Sequence, residues 1–261
     1  NYMSLIEENF KKKLLIVVPY RNRDQQLKIF QYHTKIYFNE DKLDKHLNVK
    51  LCILEQANDK PFNYGRLCNA GYLINEDYLD YIVINNVDFL PMIADYSYSD
   101  SPMLLIKHGH NNLPMRPSSN SKWIVKGSKR ENFFGNSVLL PKHIFKKVNG
   151  YSNSYWGWGY EDTDLKKRID VNNIEIKYRD GFFSPLLHDN NGFKITDKDE
   201  AVPSESSIKN KKLYDEKWAN SENYIDDGIN NLNYEIKSNE EIYKNLRNKA
   251  DFEIRHIKVD F

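Results

Sequence analysis

KLLIVVPYRNR, residues 13–23, runs an unbroken aliphatic stretch, Leu14–Val18, into a proline and then into Arg21, Asn22 and Arg23. A short apolar run rich in β-branched residues reads as a strand buried on both faces, and Pro19 cuts it into a loop. Downstream, Leu27, Phe30, Thr34 and Tyr37 recur at helical spacing within Asp24–Phe38, with Asp24 placed to cap the helix. VKLCILEQ (49–56) reads as a second buried strand and NYGRLCNAGYLINED (63–77) as a second helix. DYIVINNVDFLP (80–91) reads as a third strand running into polar residues and Pro91. Strand, helix, strand, helix, strand predicts βαβ units and a parallel sheet. Ligands of such sheets bind beyond the carboxyl ends of the strands. The exits carry Arg21-Asn22-Arg23, Glu55-Gln56 and Asn86-Val87-Asp88, which we expect to face one crevice.

The rest is less regular. MLLIKH (103–108) reads as a strand, 109–132 as loop, and 133–151 as a strand, a helix started by Pro141 and a stop at Gly150. Thr163–Asp170 reads as a helix and Ile174–Tyr178 as a strand. Residues 189–210 read as a polar loop, and NYEIK and FEIRHIKVDF as two late strands. No repeat or Pro/Gly/Ser linker divides the 261 residues, so a single domain is expected.

Charge narrows the function. With 38 basic and 37 acidic side chains the net charge is +1, which gives no general attraction to nucleic acid. No apolar run reaches the ~20 residues that span a bilayer. Two cysteines, Cys52 and Cys68, sit in core-like patterns and imply no disulfide framework. The expected compartment is therefore reducing and cytoplasmic, with peripheral membrane association compatible and a Golgi-type lumen disfavoured.

The chemistry-bearing residues cluster. Asp88 ends a buried strand, where an acid needs a turn to cap, a cation or a metal. Arg21 and Arg23 follow a strand, and guanidinium forks match phosphate oxygens. SYWGWGYEDTD (154–164) sets Trp156-Gly157-Trp158-Gly159 before Glu161, Asp162 and Asp164. Acids at a helix start complement its dipole, with Lys166, Lys167 and Arg168 toward the other end. The alternation of indole and glycine is left unexplained by that. Glycines permit φ > 0, exposed indoles are platforms for the apolar faces of sugars, and a carboxylate beside them is a candidate general base. His188, after an apolar stretch, is either structural or a metal ligand across the crevice from Asp88.

Together VVPYRNR, FNYGRLCNAGY, INNVDFLPM, FFGNSVLLPKHIFKKVNGYSNSYWGWGYEDTDL, DGINNLNYEI and IRHIKVDF resemble, in order and spacing, the β-1,4-galactosyltransferase family from about Leu14 to Phe261. The resemblance implies an α/β, GT-A-type nucleotide-sugar-binding fold with a mixed, largely parallel central sheet. Residues 13–100 would form its nucleotide-binding half and 101–261 its acceptor side, with a mobile lid at about 189–210. It implies a metal-dependent inverting transfer of galactose or N-acetylgalactosamine from a UDP-sugar to a hydroxyl of a saccharide or glycoconjugate acceptor, with Mn²⁺ or another divalent cation.

Carried over by position, Asp162 is the base and Glu161 the acid at the donor sugar. Asp88 and His188 are metal ligands. Pro19, Tyr20, Arg21 and Arg23, then Phe62, Asn63 and Arg66, hold the nucleotide, with Asn86 and Val87 at the donor. Trp158, Gly159, Phe133 and Thr163 face the acceptor, and Asp164 is a helix-dipole residue. Asn86 replaces the first acid of the family's Asp-x-Asp, Pro185 and Leu186 replace a further metal ligand, and Phe133, Asn136 and Thr163 replace a Tyr, a Gly and an acid. These departures mark a divergent member of microbial or viral kind. A transferase for another UDP-hexose, or a non-catalytic sugar- or nucleotide-binding module on the same fold, is the alternative.

Overall fold

The structure is a computed structural model; it describes residues 11–39, 47–106, 134–186, 193–195, 201–219, 224–247 and 250–261. In chain order these form β1 (Lys12–Tyr20), α1 (Asp24–Asn39), β2 (Leu47–Gln56), α2 (Tyr64–Ile74), β3 (Tyr81–Asn85), β4 (Phe89–Ile93), β5 (Met103–Leu104), β6 (Ser137–Pro141) and α3 (Lys142–Lys147). Then follow α4 (Glu161–Val171), β7 (Lys177–Tyr178), β8 (Phe182–Pro185), β9 (Phe193–Ile195), β10 (Ala201–Pro203), α5 (Glu205–Ala219), β11 (Glu235–Arg247) and β12 (Ala250–Asp260).

One eight-stranded sheet runs β11-β12-β2-β1-β3-β6-β5-β7. Its central strands β12, β2, β1 and β3 are mutually parallel, and β11 and β6 flank them antiparallel. The side-chain period of two sorts β1 between two cores. Leu15 and Val17 pack with Leu67, Tyr72, Phe145, Leu165 and Ile169 on the face covered by α2, α3 and α4. Leu14, Ile16 and Val18 pack with Leu27, Phe30 and Phe38 of α1 on the other face. Burial on both faces is why β1 reads as a solid aliphatic run.

Several sequence expectations shift. β1 runs through Pro19 to Tyr20, because pairing with β2 continues to Tyr20↔Glu55 after pairing with β3 has stopped at Val17↔Ile84. Residues 80–91 form two strands, since the chain turns at Val87-Asp88 and β4 leaves the main sheet to pair with β8. The 174–178 strand shrinks to Lys177–Tyr178. The described part of 189–210 is a two-stranded ladder and the first turns of α5, where a loop was expected. Periodicity missed α5 because the side chains it buries are polar, Ser207 and Asn210. Its start is marked instead by Ser204, whose Oγ accepts from the Ser207 amide at 3.2 Å. Among the described residues no helix is long and apolar enough to cross a membrane.

Candidate active site

The registers bring Tyr20, Gln56 and Asn85 to one edge of the sheet. The three strand exits named from the sequence therefore do share an edge. There the Arg23 guanidinium lies 3.8 Å from the buried carboxylate of Asp88. The Asp88 carbonyl accepts from the Leu186 amide at 2.7 Å, so β4–β8 pairing brings the chain to within two residues of His188 beside Asp88. His188 and Phe133 themselves lie outside the described residues.

The other nucleotide-side candidates divide by what they touch. Arg21 lies over the Phe62 ring at 5.6 Å and donates to the carbonyls of Asn58 and Lys60. The Tyr20 hydroxyl donates to Asp24, and Val87 is buried in the α1-side core. Asn63 caps α2, its Oδ1 accepting from the Arg66 backbone amide at 2.9 Å while its Nδ2 donates to the Asn153 carbonyl at 2.9 Å. Arg66 donates to the same carbonyl and lies 5.1 Å over Trp156. Asn63 and Arg66 thus hold the approach to the Trp-Gly segment.

That segment is a tight, propped turn. Gly157, Gly159 and Tyr160 have φ of 84°, 104° and 74°, which swing the chain into α4. The Gly157 amide donates to the Phe62 carbonyl at 2.8 Å. From above, α5 closes on it. Trp158 donates its amide to Ser206 Oγ at 3.2 Å, and Asn210 Nδ2 lies 3.0–3.3 Å from the carbonyls of Trp156, Trp158 and Gly159. Trp158 stays 41 % exposed, a large apolar face left in solvent.

The turn delivers Glu161 and Asp162 as the first residues of α4. Both are partly exposed as residues, yet one carboxylate oxygen of each is shut from solvent with no hydrogen-bond partner. Burial lifts Glu161 above the usual carboxylate range, against hydrogen bonds from the amides of Glu161 and Gly159. Burial, and then the charge of Glu161, lifts Asp162 well above it. Buried polar atoms left unpaired are costly, so a pair of them in one place signals a site waiting for a partner. Thr163, the next residue, is exposed.

Asp164 proves to be more than a helix-end charge. Fully buried, it takes Arg168 Nε at 2.5 Å, the Tyr155 hydroxyl at 2.9 Å, Trp218 Nε1 at 3.0 Å and Lys217 Nζ at 3.1 Å. Lys217 also reaches Asp227 at 2.7 Å. Burial alone would raise the Asp227 carboxyl, but Lys217, Ser152 and the Asn153 amide outweigh it and hold it below its ordinary value. This network bolts α4 to the far end of α5.

Sequence reading missed Tyr64, Asn210 and Asp227. Tyr64 donates its hydroxyl to Asn86 Oδ1 at 2.8 Å. Asn210 and Asp227 sit in polar stretches that carry no periodic signal. A separate basic hollow of about 630 Å³, lined by Lys13, Asp80, Lys142 and Lys146 among others, opens at the opposite, N-terminal edge of the parallel strands. It shares no residue with the carboxylates, and the site is placed at the carboxylates.

The chain is similar to known proteins in sequence and in fold. Residues 7–99 match the N-terminal region of glycosyl transferase group 7, and residues 118–188 match the N-terminal domain of galactosyltransferase. Mouse β-1,4-galactosyltransferase 4 is 32 % identical over 169 residues, which is 63 % of this chain and 44 % of that protein. Xylosylprotein 4-β-galactosyltransferase of Caenorhabditis elegans is 34 % identical over 160 residues, 60 % of this chain and 50 % of that protein. The chain thus spans about half the length of the curated relatives it matches. Drosophila β-1,4-galactosyltransferase 7, solved as a mutant with manganese, UDP-Gal and xylobiose, superposes with a TM-score of 0.64 at 22 % identity over 96 % of this chain and 95 % of that one. Its complex with xylobiose gives 0.63 at 24 %. The fold is of GT-A type. The chain belongs to the β-1,4-galactosyltransferase family.

Proposed function

We propose that this chain is a metal-dependent inverting glycosyltransferase that moves galactose, or N-acetylgalactosamine, from a UDP-sugar to a hydroxyl of a saccharide acceptor. The observation that carries this reading is the carboxylate pair Glu161 and Asp162, each with a buried unpartnered oxygen, beside an exposed indole. The relatives' names and the neighbour's bound UDP-Gal support the donor.

In this reading an acceptor sugar lies against Trp158. Its hydroxyl oxygen attacks the anomeric carbon of the donor from the face opposite UDP. The bond from that carbon to the diphosphate oxygen breaks, UDP leaves, and Asp162 takes the hydroxyl proton. One step with no covalent intermediate inverts the anomeric centre. Glu161, sharing the site, orients the donor sugar and keeps Asp162 basic through its charge.

The residues fit a divalent cation. Asp88 is a buried acid at a strand end, and its carbonyl accepts from the amide of Leu186, two residues before His188 in sequence. Asp189 or substrate oxygens would complete the shell. When bound, the cation, Mn²⁺ by analogy with the Drosophila structure, would neutralise charge on the departing diphosphate. Arg23, beside Asp88, supplies a fixed positive charge to the same edge. Cys52 and Cys68, buried as free thiols, suit our placing of the chain in a reducing, cytoplasmic compartment.

The test is a screen of UDP-hexoses for UDP release with Mn²⁺ and a panel of saccharide acceptors. Release with UDP-galactose or UDP-N-acetylgalactosamine that needs both cation and acceptor is expected. Binding of UDP-sugars without release under any pairing would point to a binding module instead.

A further inference from the structure

Tyr151 is a buried phenol with no part in the steps above. It lies between α3 and α4, with its side chain fully shut from solvent in the core those helices share with α2. Its backbone is held at both groups: Asn69 Oδ1 accepts from the Tyr151 amide at 2.9 Å, and Asn69 Nδ2 donates to the Tyr151 carbonyl at 2.8 Å. Its ring meets that of Tyr64 edge-on at 5.7 Å and lies 6.4 Å from that of Phe145. The ring is thus fixed, yet the hydroxyl at its tip has no hydrogen-bond partner among the described residues. A buried donor left unused is costly and calls for a reason.

The reason lies on α4. Leu165 packs in the same cluster as Tyr151, and Glu161 and Asp162 stand one helical turn before it, four and three residues back. Each of these acids has one buried oxygen without a partner, Glu161 Oε2 and Asp162 Oδ1. The same core edge therefore holds one unused donor and two unused acceptors. The titratable groups around Tyr151 are Tyr64 and Cys68 from α2 and the two acids from α4. Burial, and then the charge of Asp162, pushes the Tyr151 phenol well above its ordinary value, so it keeps its proton and serves as a donor. Asp162 acts on it more strongly than Glu161 does. Asp162 is also the acid in greater need. Glu161 accepts from the amides of Glu161 and Gly159, whereas burial and Glu161 both oppose the charge on Asp162. Tyr64 cannot fill the role, because its own proton goes to Asn86 Oδ1 at 2.8 Å.

We propose that Tyr151 is a positioning residue for the base: its hydroxyl donates a hydrogen bond to the inward oxygen of Asp162, Oδ1, once that carboxylate is charged, and leaves the other oxygen to receive the acceptor's proton. The inference rests on the assignment of Asp162 as the base. A donor to the charged form of an acid favours that form. Tyr151 thereby offsets part of what burial and Glu161 impose, and it fixes which oxygen faces the acceptor.

The test is the pH profile of kcat/KM for Tyr151→Phe against the unmodified full chain, with UDP-galactose, Mn²⁺ and an acceptor that supports transfer. The substitution removes one oxygen and keeps the ring, so the fold should persist, as a urea midpoint checks. A hydrogen bond to a charged group is worth roughly tenfold or more, so the rising limb should move up by about one pH unit. Below the limb the variant should be roughly tenfold slower. Above it the rate should return to within about twofold, with UDP-galactose affinity by calorimetry unchanged. A limb that stays in place in Tyr151→Phe, or a loss equal at every pH, would overturn this inference alone. A limb that survives Asp162→Asn, or an unmodified chain that transfers no UDP-hexose, would overturn both this and the mechanism it rests on.

Discussion

Asp162 carries conflicting demands. As the proposed base it must be ionised, yet burial and Glu161 favour its protonated form. The rate should therefore climb with pH through a value above the ordinary carboxylate range, read as a rising limb in kcat/KM that Asp162→Asn removes. The linkage for stability has the opposite sense. A carboxyl whose folded pKa is raised binds its proton more tightly folded than unfolded. Its contribution is full below the unfolded pKa and is lost as pH rises through the folded one. At neutral pH Asp162→Asn should accordingly stabilise the chain, by about 1 kcal/mol, the range of other substitutions that relieve a strained functional site. A lower urea midpoint for Asp162→Asn at pH 7 than for the unmodified chain would contradict this. The buried Asp164 is the converse. Asp164→Asn removes the more buried of the two anions that Arg168 and Lys217 share with Asp227, and breaking a buried pair costs about 3–5 kcal/mol. A chemical denaturation curve shifted by less than a third of that would show that the network is dispensable.

At the scale of elements, the site is an agreement between a turn and a helix. Gly157 has a φ that strains other residues, and a Cβ there would come within 2.5 Å of Ser206 Cβ. Gly157→Ala should push α5 off the turn. Asn210→Ala removes the donor shared by three carbonyls, worth roughly 0.5–1.5 kcal/mol as a net hydrogen bond. Both substitutions should raise the acceptor KM several-fold and leave UDP affinity within about twofold, as measured by initial rates and calorimetry. Equal losses for donor and acceptor would mean that α5 supports the whole site rather than the indole. What could be read in advance follows from how each element is buried. β1, β2 and α2 announce themselves because their burial is aliphatic and periodic. α5 was hidden because it docks through Ser206, Ser207 and Asn210, and no hydrophobic period records a hydrogen bond. The division of 80–91 was hidden too, since a strand that turns out of one sheet into another keeps its apolar pattern across the break.

Across the whole molecule, one sheet with helices on both faces brings strand exits and carboxylates to a common edge, though Arg23, Asp88 and Asp162 are far apart in sequence. The acids and the Trp-Gly turn were legible as a cluster because they are contiguous. The partnership of Tyr64 with Asn86 and Asn136 was not, because it is made by the packing of α2 on the sheet and the antiparallel pairing of β3 with β6. Both cysteines lie in the α2-side core, where burial pushes the Cys52 thiol up to about 12 and Cys68 well above its ordinary value. Neither should react with a thiol reagent until the chain unfolds. Rapid labelling of the native protein would show that this core opens on its own. The central claim, proton removal by Asp162 during transfer, is tested most directly by one comparison: transfer rate with UDP-galactose, Mn²⁺ and a productive acceptor in Asp162→Asn against the unmodified chain, UDP-sugar affinity being measured alongside. A general base contributes about 10²–10⁴-fold, so the rate should fall by at least 10² with donor affinity retained. A variant that transfers within tenfold of the unmodified chain would contradict the assignment of Asp162 as the base.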